Sequence, residues 1–411
     1  MRTPPPALIV VLAGVAAALH VGKLAPALPV LSVELGVTLV QAGFLLSLVQ
    51  LAGMALGVAA GLAADGLGLK RTMAGGLALL SLASVAGGWA RDPYSLMALR
   101  AVEGAGFLLA AMPAPGLIRR LVDPSRVNPM LGLWGAYMPL GTAAALLIGP
   151  MVIAASGWPG WWWLLALVSA GMAAWLWVAL PADPRHAAGG GPVPATRQSR
   201  LGQTLSAPGP WLVALAFAAY SSQWLAVIGF LPTMYAQAGL GTALAGAATA
   251  LAAVVNMAGN VASGRLLQRG VPAQCLLYLG FAAMGLGAFV AFAPLADALD
   301  PPTAGALRYA AVLLFSAVGG LIPGTLFSLA VRLAPAERAV STTVGWMQQC
   351  SSLGQFAGPP LVGWVAARAG GWHWSWLVTG GCSLAGILLA WATGTLLRRR
   401  VAGGTTAGRG T

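Results

Sequence analysis

Arg100 and Glu103 stand three residues apart in a run that is otherwise almost wholly apolar. On a helix that spacing puts a guanidinium and a carboxylate on one face, where they can pair. Glu103 is the one acidic residue that falls inside such a run. An ionisable group at membrane depth is expensive, and its default reading is a solute or proton path with a partner close by. Solute arriving or leaving beside the pair could tip Glu103 between its charged and neutral forms, which is proton coupling in outline. The plainer alternative is a structural ion pair that locks its own helix. His20 and Lys23 are also three apart, toward the far end of the first apolar run, where a lysine can extend its ammonium to the interface. The ordinary histidine pKa of about 6.5 makes His20 a second protonatable group. The pair serves either as a solute contact or as an interfacial anchor.

Uncharged polar residues in the later apolar runs extend the candidate list: Tyr220 and Gln223, Asn256 and Asn260, then Gln348, Gln349 and Gln355. Lipid cannot satisfy amides, so these side chains should face other helices or water. Bonding between helices is the ordinary use of any one of them. Trp134, Tyr137 and Trp346 could stack on a planar or cationic solute, although rings near an interface are also common anchors. No metal site is expected, because Cys275, Cys350 and Cys382 lie singly in apolar runs and no His-Glu-x-x-His spacing occurs.

The elements that must position these residues are membrane helices. Only 8% of the 411 residues are charged and 58% are hydrophobic, whereas soluble domains carry roughly a quarter charged residues. Runs of about twenty apolar residues match the hydrocarbon thickness of a bilayer. Twelve such spans are expected, at 7–30, 41–64, 73–90, 93–116, 129–155, 160–180, 210–235, 242–264, 273–293, 305–331, 340–366 and 373–397. The first run lacks a small-residue cleavage site and reads as a span, not a signal peptide.

The net charge of +13 does not indicate nucleic acid, because the Lys and Arg residues sit in short clusters between the apolar runs. With a cytoplasmic N-terminus, 17 of the 22 basic residues fall on one face; Lys23, Arg91, Arg100, Arg308 and Arg368 are the others. Basic loops are retained on the cytoplasmic side. Both termini are therefore expected in the cytoplasm, with the chain in a bacterial-type inner membrane.

Residues 181–209, with Pro181, Pro184, Pro192, Pro194 and the run Gly189-Gly190-Gly191, read as a cytoplasmic linker. The chain then divides into an N-terminal six-helix bundle at 1–180, a C-terminal bundle at 210–400 and a flexible tail at 401–411. The halves resemble each other: Gly61 to Arg71 compares with Gly259 to Arg269, Arg100 with Arg308, and Gly149-Pro150 with Gly358-Pro359. Parallel six-helix repeats are one known transporter plan.

The loop Gly61-Leu62-Ala63-Ala64-Asp65-Gly66-Leu67-Gly68-Leu69-Lys70-Arg71 closely resembles the signature loop of the major facilitator superfamily, and Arg100-x-x-x-Gly104-x-Gly106 resembles that family's fourth-helix signature. With twelve helices and a central linker, the resemblance covers nearly the whole chain. It implies an all-α membrane protein of two pseudo-symmetric six-helix bundles, monomeric and without a cofactor. It also implies a conformational latch in which Asp65 acts with Gly61, Gly68, Lys70 and Arg71, and a first helix that lines the solute path.

Gly53, Gly57 and Gly61 repeat every four residues on the second helix, as Gly354 and Gly358 do on the eleventh beside Pro359. Such stripes let helices pack closely, and in the family these two helices approach each other across the halves. Gly149-Pro150 on the fifth helix matches part of the antiporter signature of drug and metabolite exporters, with Ile153 and Ala154 where that signature has glycines. Met112 to Arg120 is faintly similar to permeases for small anions such as cyanate.

The leading expectation is a secondary active transporter that exports a small organic solute by alternating access, with proton coupling through Glu103, Arg100 and His20. Its solute contacts would come from Lys23, Trp134, Tyr137, Tyr220, Gln223, Asn256, Trp346 and Gln349. Proton-coupled uptake of a small organic or inorganic anion is the alternative, and a transporter-like receptor or sensor is a reading from another class. An enzyme finds no convergent catalytic set, and a nucleotide-driven pump finds no Gly-x-x-x-x-Gly-Lys-Ser/Thr loop.

Overall fold

The computed structural model describes residues 5–57, 68–123, 126–183, 195–295, 299–336 and 339–407. All regular structure among them is helical. That follows from the solvent: in hydrocarbon each backbone N–H and C=O must find a partner within its own segment. The first span is α1 (Pro6–Gly22) followed by α2 (Leu24–Glu34), and the second is α3 (Leu39–Ser47), carried on to residue 57 through a short 3-10 turn. There follow α4 (Leu69–Gly87), α5 (Pro93–Ala111), α6 (Ala114–Leu121), α7 (Val127–Trp134) and α8 (Tyr137–Ala179). The remaining helices are α9 (Ala195–Ser206), α10 (Pro208–Gln237), α11 (Thr242–Gln268), α12 (Ala273–Phe292), α13 (Pro301–Gly319), α14 (Leu321–Leu333), α15 (Val340–Ala369) and α16 (Ser375–Ala407). Part of the stretch read as a linker is thus the helix α9.

Nine stretches among the described residues are long and apolar enough to cross a bilayer. One of them, α8, is two spans in one: Gly157 has φ +70° and breaks it just ahead of Pro159. Only glycine adopts that conformation without steric cost. With α4 and α15, which have the length of spans, the expected twelve crossings are reached. Leu82, Leu167, Leu286 and Trp391 are exposed on the helix surfaces, as lipid-facing residues should be.

Local sequence sets several helix starts. Thr38 and Gln41 form a reciprocal capping box at α3, with Gln41 N–H donating to Thr38 Oγ1 and Thr38 N–H donating to Gln41 Oε1. Asp92 accepts from the backbone N–H of Tyr94 and of Ser95, each at 2.9 Å, with Pro93 in the first turn of α5. Asp300 does the same for α13, accepting from Thr303 N–H at 3.1 Å ahead of Pro301. Backbone and side-chain hydrogen bonds from Ser95 hold the Asp92 carboxyl below the usual carboxylate range, and those from Thr303 do so for Asp300.

The described residues form two compact units. One comprises Met1–Gly189, Trp224–Val254 and Gln355–Trp372. Its core joins Ile9, Met73, Leu77, Phe107, Ile118 and Leu176 from α1, α4, α5, α6 and α8. Helices approach there to backbone distance: a Cβ on Gly141 would lie 2.7 Å from the Val15 carbonyl oxygen, and one on Gly106 would lie 2.8 Å from the Leu80 nitrogen. Within the same unit Gly43 of α3 meets the Pro359 carbonyl of α15, Gly363 meets that of Leu39, and Gly246 of α11 meets that of Leu146. The other unit comprises Gly190–Gln223, Val255–Gly354 and His373–Thr411. Its core includes Leu277, Phe281, Met284, Phe315 and Ile322.

Candidate functional site

The first span breaks at Lys23, between α1 and α2. Pro26 offers no N–H and its ring crowds the carbonyl four residues back, so the helix cannot run through unperturbed. Side chains from elsewhere take the carbonyls at the break. Arg100 on α5 donates through Nη1 to His20 O at 2.5 Å, through Nη2 to Val21 O at 3.3 Å and through Nε to Leu45 O at 3.1 Å. Trp161 Nε1 donates to Lys23 O at 3.2 Å. Gly22 lets α1 lie against α8, where a Cβ would be 2.9 Å from Thr142 Cα, and Gly104 lets α5 approach the turn after α3, where a Cβ would be 2.6 Å from the Val49 carbonyl oxygen. The break is thereby fixed from several sides.

Arg100 also donates through Nη1 to Glu103 Oε2 at 2.6 Å, while Lys23 Nζ is in direct hydrogen-bonded ion contact with Glu103 Oε1. Lys23 further donates to Ser84 Oγ of α4 at 3.0 Å, and its ammonium lies 4.6 Å over the Trp162 ring. Ser84 Oγ in turn donates a hydrogen bond to Trp162 O at 2.8 Å. His20 Nδ1 lies 3.5 Å from Lys23 Nζ, and Nε2 lies 2.7 Å from Ser169 Oγ. An ammonium can only donate, so Nδ1 is the acceptor and Nε2–H donates to Ser169. Lys23 and His20 are fully buried, and Arg100 and Glu103 are 1% exposed. Taking such charges from water costs several kcal/mol per ion, which only dense hydrogen bonding offsets.

The two pairs read from the sequence are therefore one cluster. Lys23 does not extend to the interface; its ammonium turns inward to Glu103. Ser84, Ser169 and Trp162 complete the cluster and carried no sequence signal, since single hydroxyls in apolar spans usually bond their own helix.

The other candidates lie apart from it. Trp134 and Tyr137 stack on each other at 4.1 Å and pack on the apolar core of their unit. In the second unit Tyr220 donates to Asn256 Oδ1 at 3.1 Å, Asn260 Nδ2 donates to the same oxygen at 3.1 Å, and Asn256 Nδ2 donates to Ser316 O at 2.8 Å. Gln223 accepts from Ser383 Oγ at 3.0 Å. Trp346 meets Trp211 edge to face at 4.8 Å, and Gln349 is half-buried on the same helix. Gly354 packs on the Ala218 backbone, while Gly53, Gly57, Gly149, Pro150 and Gly358 are all buried.

Of the expected latch, Gly61 and Asp65 lie outside the described residues. Gly68 begins α4 with φ +92°. The backbone N–H groups of Lys70 and Arg71 donate to Asp183 at 3.1 Å each, Arg120 pairs with the same carboxylate at 3.3 Å, and Lys70 Nζ donates to Leu180 O at 2.6 Å. Burial raises the Asp183 pKa, but the amides of Arg71 and Lys70 and the Arg120 guanidinium outweigh it and hold the carboxyl below its usual range. Asp183 escaped the sequence reading because it sits in a proline-rich stretch that reads as linker.

A bundle of apolar spans holding a desolvated charge cluster defines a multi-pass helical membrane protein. The sequence pattern of the Major Facilitator Superfamily matches residues 8–359. The chain is 28% identical over 357 residues to the 2-nitroimidazole transporter of Escherichia coli strain K12, covering 85% of this chain and 84% of that one. It is 30% identical over 200 residues to a puromycin resistance protein of Streptomyces alboniger, covering 48% of this chain and 38% of that protein. A bacterial homologue of the human lysosomal transporter Spinster, solved inward-facing and unoccupied, superposes with a TM-score of 0.73 at 16% identity, covering 96% of this chain and 98% of that one. The chain belongs to the major facilitator superfamily of transporters, and its twelve-helix fold is the family's.

Proposed function

We propose that the chain is a secondary active transporter that exports a small organic solute by alternating access and couples that movement to protons through Glu103, Arg100, His20 and Lys23. The observation that carries the reading is the buried cluster at the break of the first span. Four ionisable side chains from the first span and α5 meet there, so a change of charge acts directly on the backbone of a broken helix. Export is in keeping with the resistance that the puromycin relative's name states and with Gly149, where an added Cβ would lie 2.8 Å from Pro26 Cγ, so that the partial antiporter signature lies against the same helix. The glycine contacts of Gly43, Gly363 and Gly246 suit a gate at the helix ends that charge distribution assigns to the outer face. In this reading both termini are cytoplasmic in a bacterial-type inner membrane, no cofactor is needed and no catalytic step occurs.

The test is flux of 2-nitroimidazole and of puromycin in proteoliposomes under an imposed pH gradient. Accumulation that follows the gradient is the expected result. Flux indifferent to the gradient removes the proton from the mechanism.

A further inference from the structure

The cluster holds two cations, Lys23 and Arg100, against one carboxylate, Glu103. His20 Nδ1 lies 3.5 Å from the Lys23 ammonium and 3.9 Å from Glu103 Oε1; beside a charged Lys23, which can only donate, it accepts, so His20 is neutral and does not alter that count. The elements packed around the site add no further charge among the described residues. Helix α4 contributes Ser84, α8 contributes Trp161, Trp162 and Ser169, and α3 contributes the Leu45 carbonyl. One positive charge is thus left uncompensated in a volume shut off from solvent.

That excess can be removed in three ways. Arg100 could lose a proton, but a guanidinium stays charged in proteins. An anion could join, but of the eight N–H groups on the two cations only one, on Arg100 Nη2, is left to bind it. The three N–H groups of Lys23 go to Glu103, Ser84 and His20, and Arg100 gives four to Glu103 and to the carbonyls of His20, Val21 and Leu45. Glu103 is flanked by a cation at each oxygen, so protonating it would enlarge the imbalance. The remaining way is for Lys23 to release a proton, which leaves Arg100 and Glu103 as a neutral, mutually bonded pair.

We infer that Lys23, not Glu103, is the group that carries the transported proton, with Glu103 and Arg100 as the fixed pair that sets its charge balance. This deepens the proton-coupled reading above and rests on it. The bond that breaks is an Nζ–H of Lys23, the electron pair stays on nitrogen, and the proton passes to water admitted when the site opens. His20 holds Nζ through Nδ1 while its other nitrogen is anchored on Ser169, so the amine keeps its place in either form.

The test exploits composition, since Lys23 and Lys70 are the only lysines in the sequence. Protein labelled with carbon-13 at lysine Cε gives two signals, and Lys23→Met identifies one by its loss. The expected result is that the Lys23 signal moves between its charged and neutral positions over the same pH interval in which proteoliposome flux changes, while the Glu103 carboxyl signal, assigned with Glu103→Gln, stays at its ionised position. A Lys23 signal that never moves while that of Glu103 does overturns the inference.

In the transport arm, with 2-nitroimidazole as probe, Lys23→Met and Lys23→Arg are expected to lose accumulation driven by a gradient. Wild-type coupling that survives in both variants overturns the assignment to Lys23 alone. Wild-type flux that ignores the gradient overturns the coupling reading itself.

Discussion

Helices α5 and α13 begin alike and end in different chemistry. Asp92-Pro93 opens one and Asp300-Pro301 the other, each aspartate caps its helix, and an arginine follows eight residues later, at Arg100 and Arg308. Three residues further on the first has Glu103 and the second has Ala311. Arg100 is fully enclosed and paired with that carboxylate, whereas Arg308 is half-buried. The second unit has instead an uncharged network built from Tyr220, Asn256, Asn260 and Ser316. A repeated scaffold thus carries an ion-paired cluster in one copy and an amide network in the other.

Breaking the charged side of that contrast should have the largest effect. Glu103→Gln leaves Lys23 and Arg100 without their anion, and the loss should be about 3–5 kcal/mol, as for other buried pairs deprived of one partner. Thermal denaturation in detergent measures it, and the loss should shrink at alkaline pH, where Lys23 can become neutral. A loss that does not vary with pH would contradict the charge count.

Asn256→Leu, the corresponding cut in the neutral network, should cost less, about 1–3 kcal/mol for the polar groups left unsatisfied, and should be independent of pH. Asp92→Ala and Asp300→Ala should have the smallest effects and should match each other, because both remove the same kind of cap. Each carboxyl is held below its usual range when folded, so its contribution is present above the unfolded value and is lost as pH falls through the folded one. Unequal melting shifts for the two would show that the repeat does not extend to the helix starts.

The spans were legible because hydrocarbon thickness sets their length and lipid excludes charge from them. Even the division of α8 at Gly157 falls where two apolar runs were separated. The Arg100 and Glu103 pairing was legible from helical spacing within one element. What joins Lys23 to them was not, because it depends on how Pro26 turns the chain and on which face of α1 meets α5. Asp183 illustrates the same limit: the amides of Lys70 and Arg71 that it caps lie more than a hundred residues away. Composition there suggested only a tether.

Gly43 and Gly363 set bare main chain of one helix against bare main chain of another, at the Pro359 and Leu39 carbonyls. No backbone hydrogen bond joins these helices among the described residues, and what holds them is dispersion worth about 0.1–0.2 kcal/mol per atom pair. Parting such surfaces strips no ion of a partner, although it also breaks the edge-to-face contact of Phe44 with Phe356 at 6.4 Å. Separation at that end would exchange few directional contacts, whereas a change at the break of the first span would have to repartner Lys23, Glu103 and Arg100.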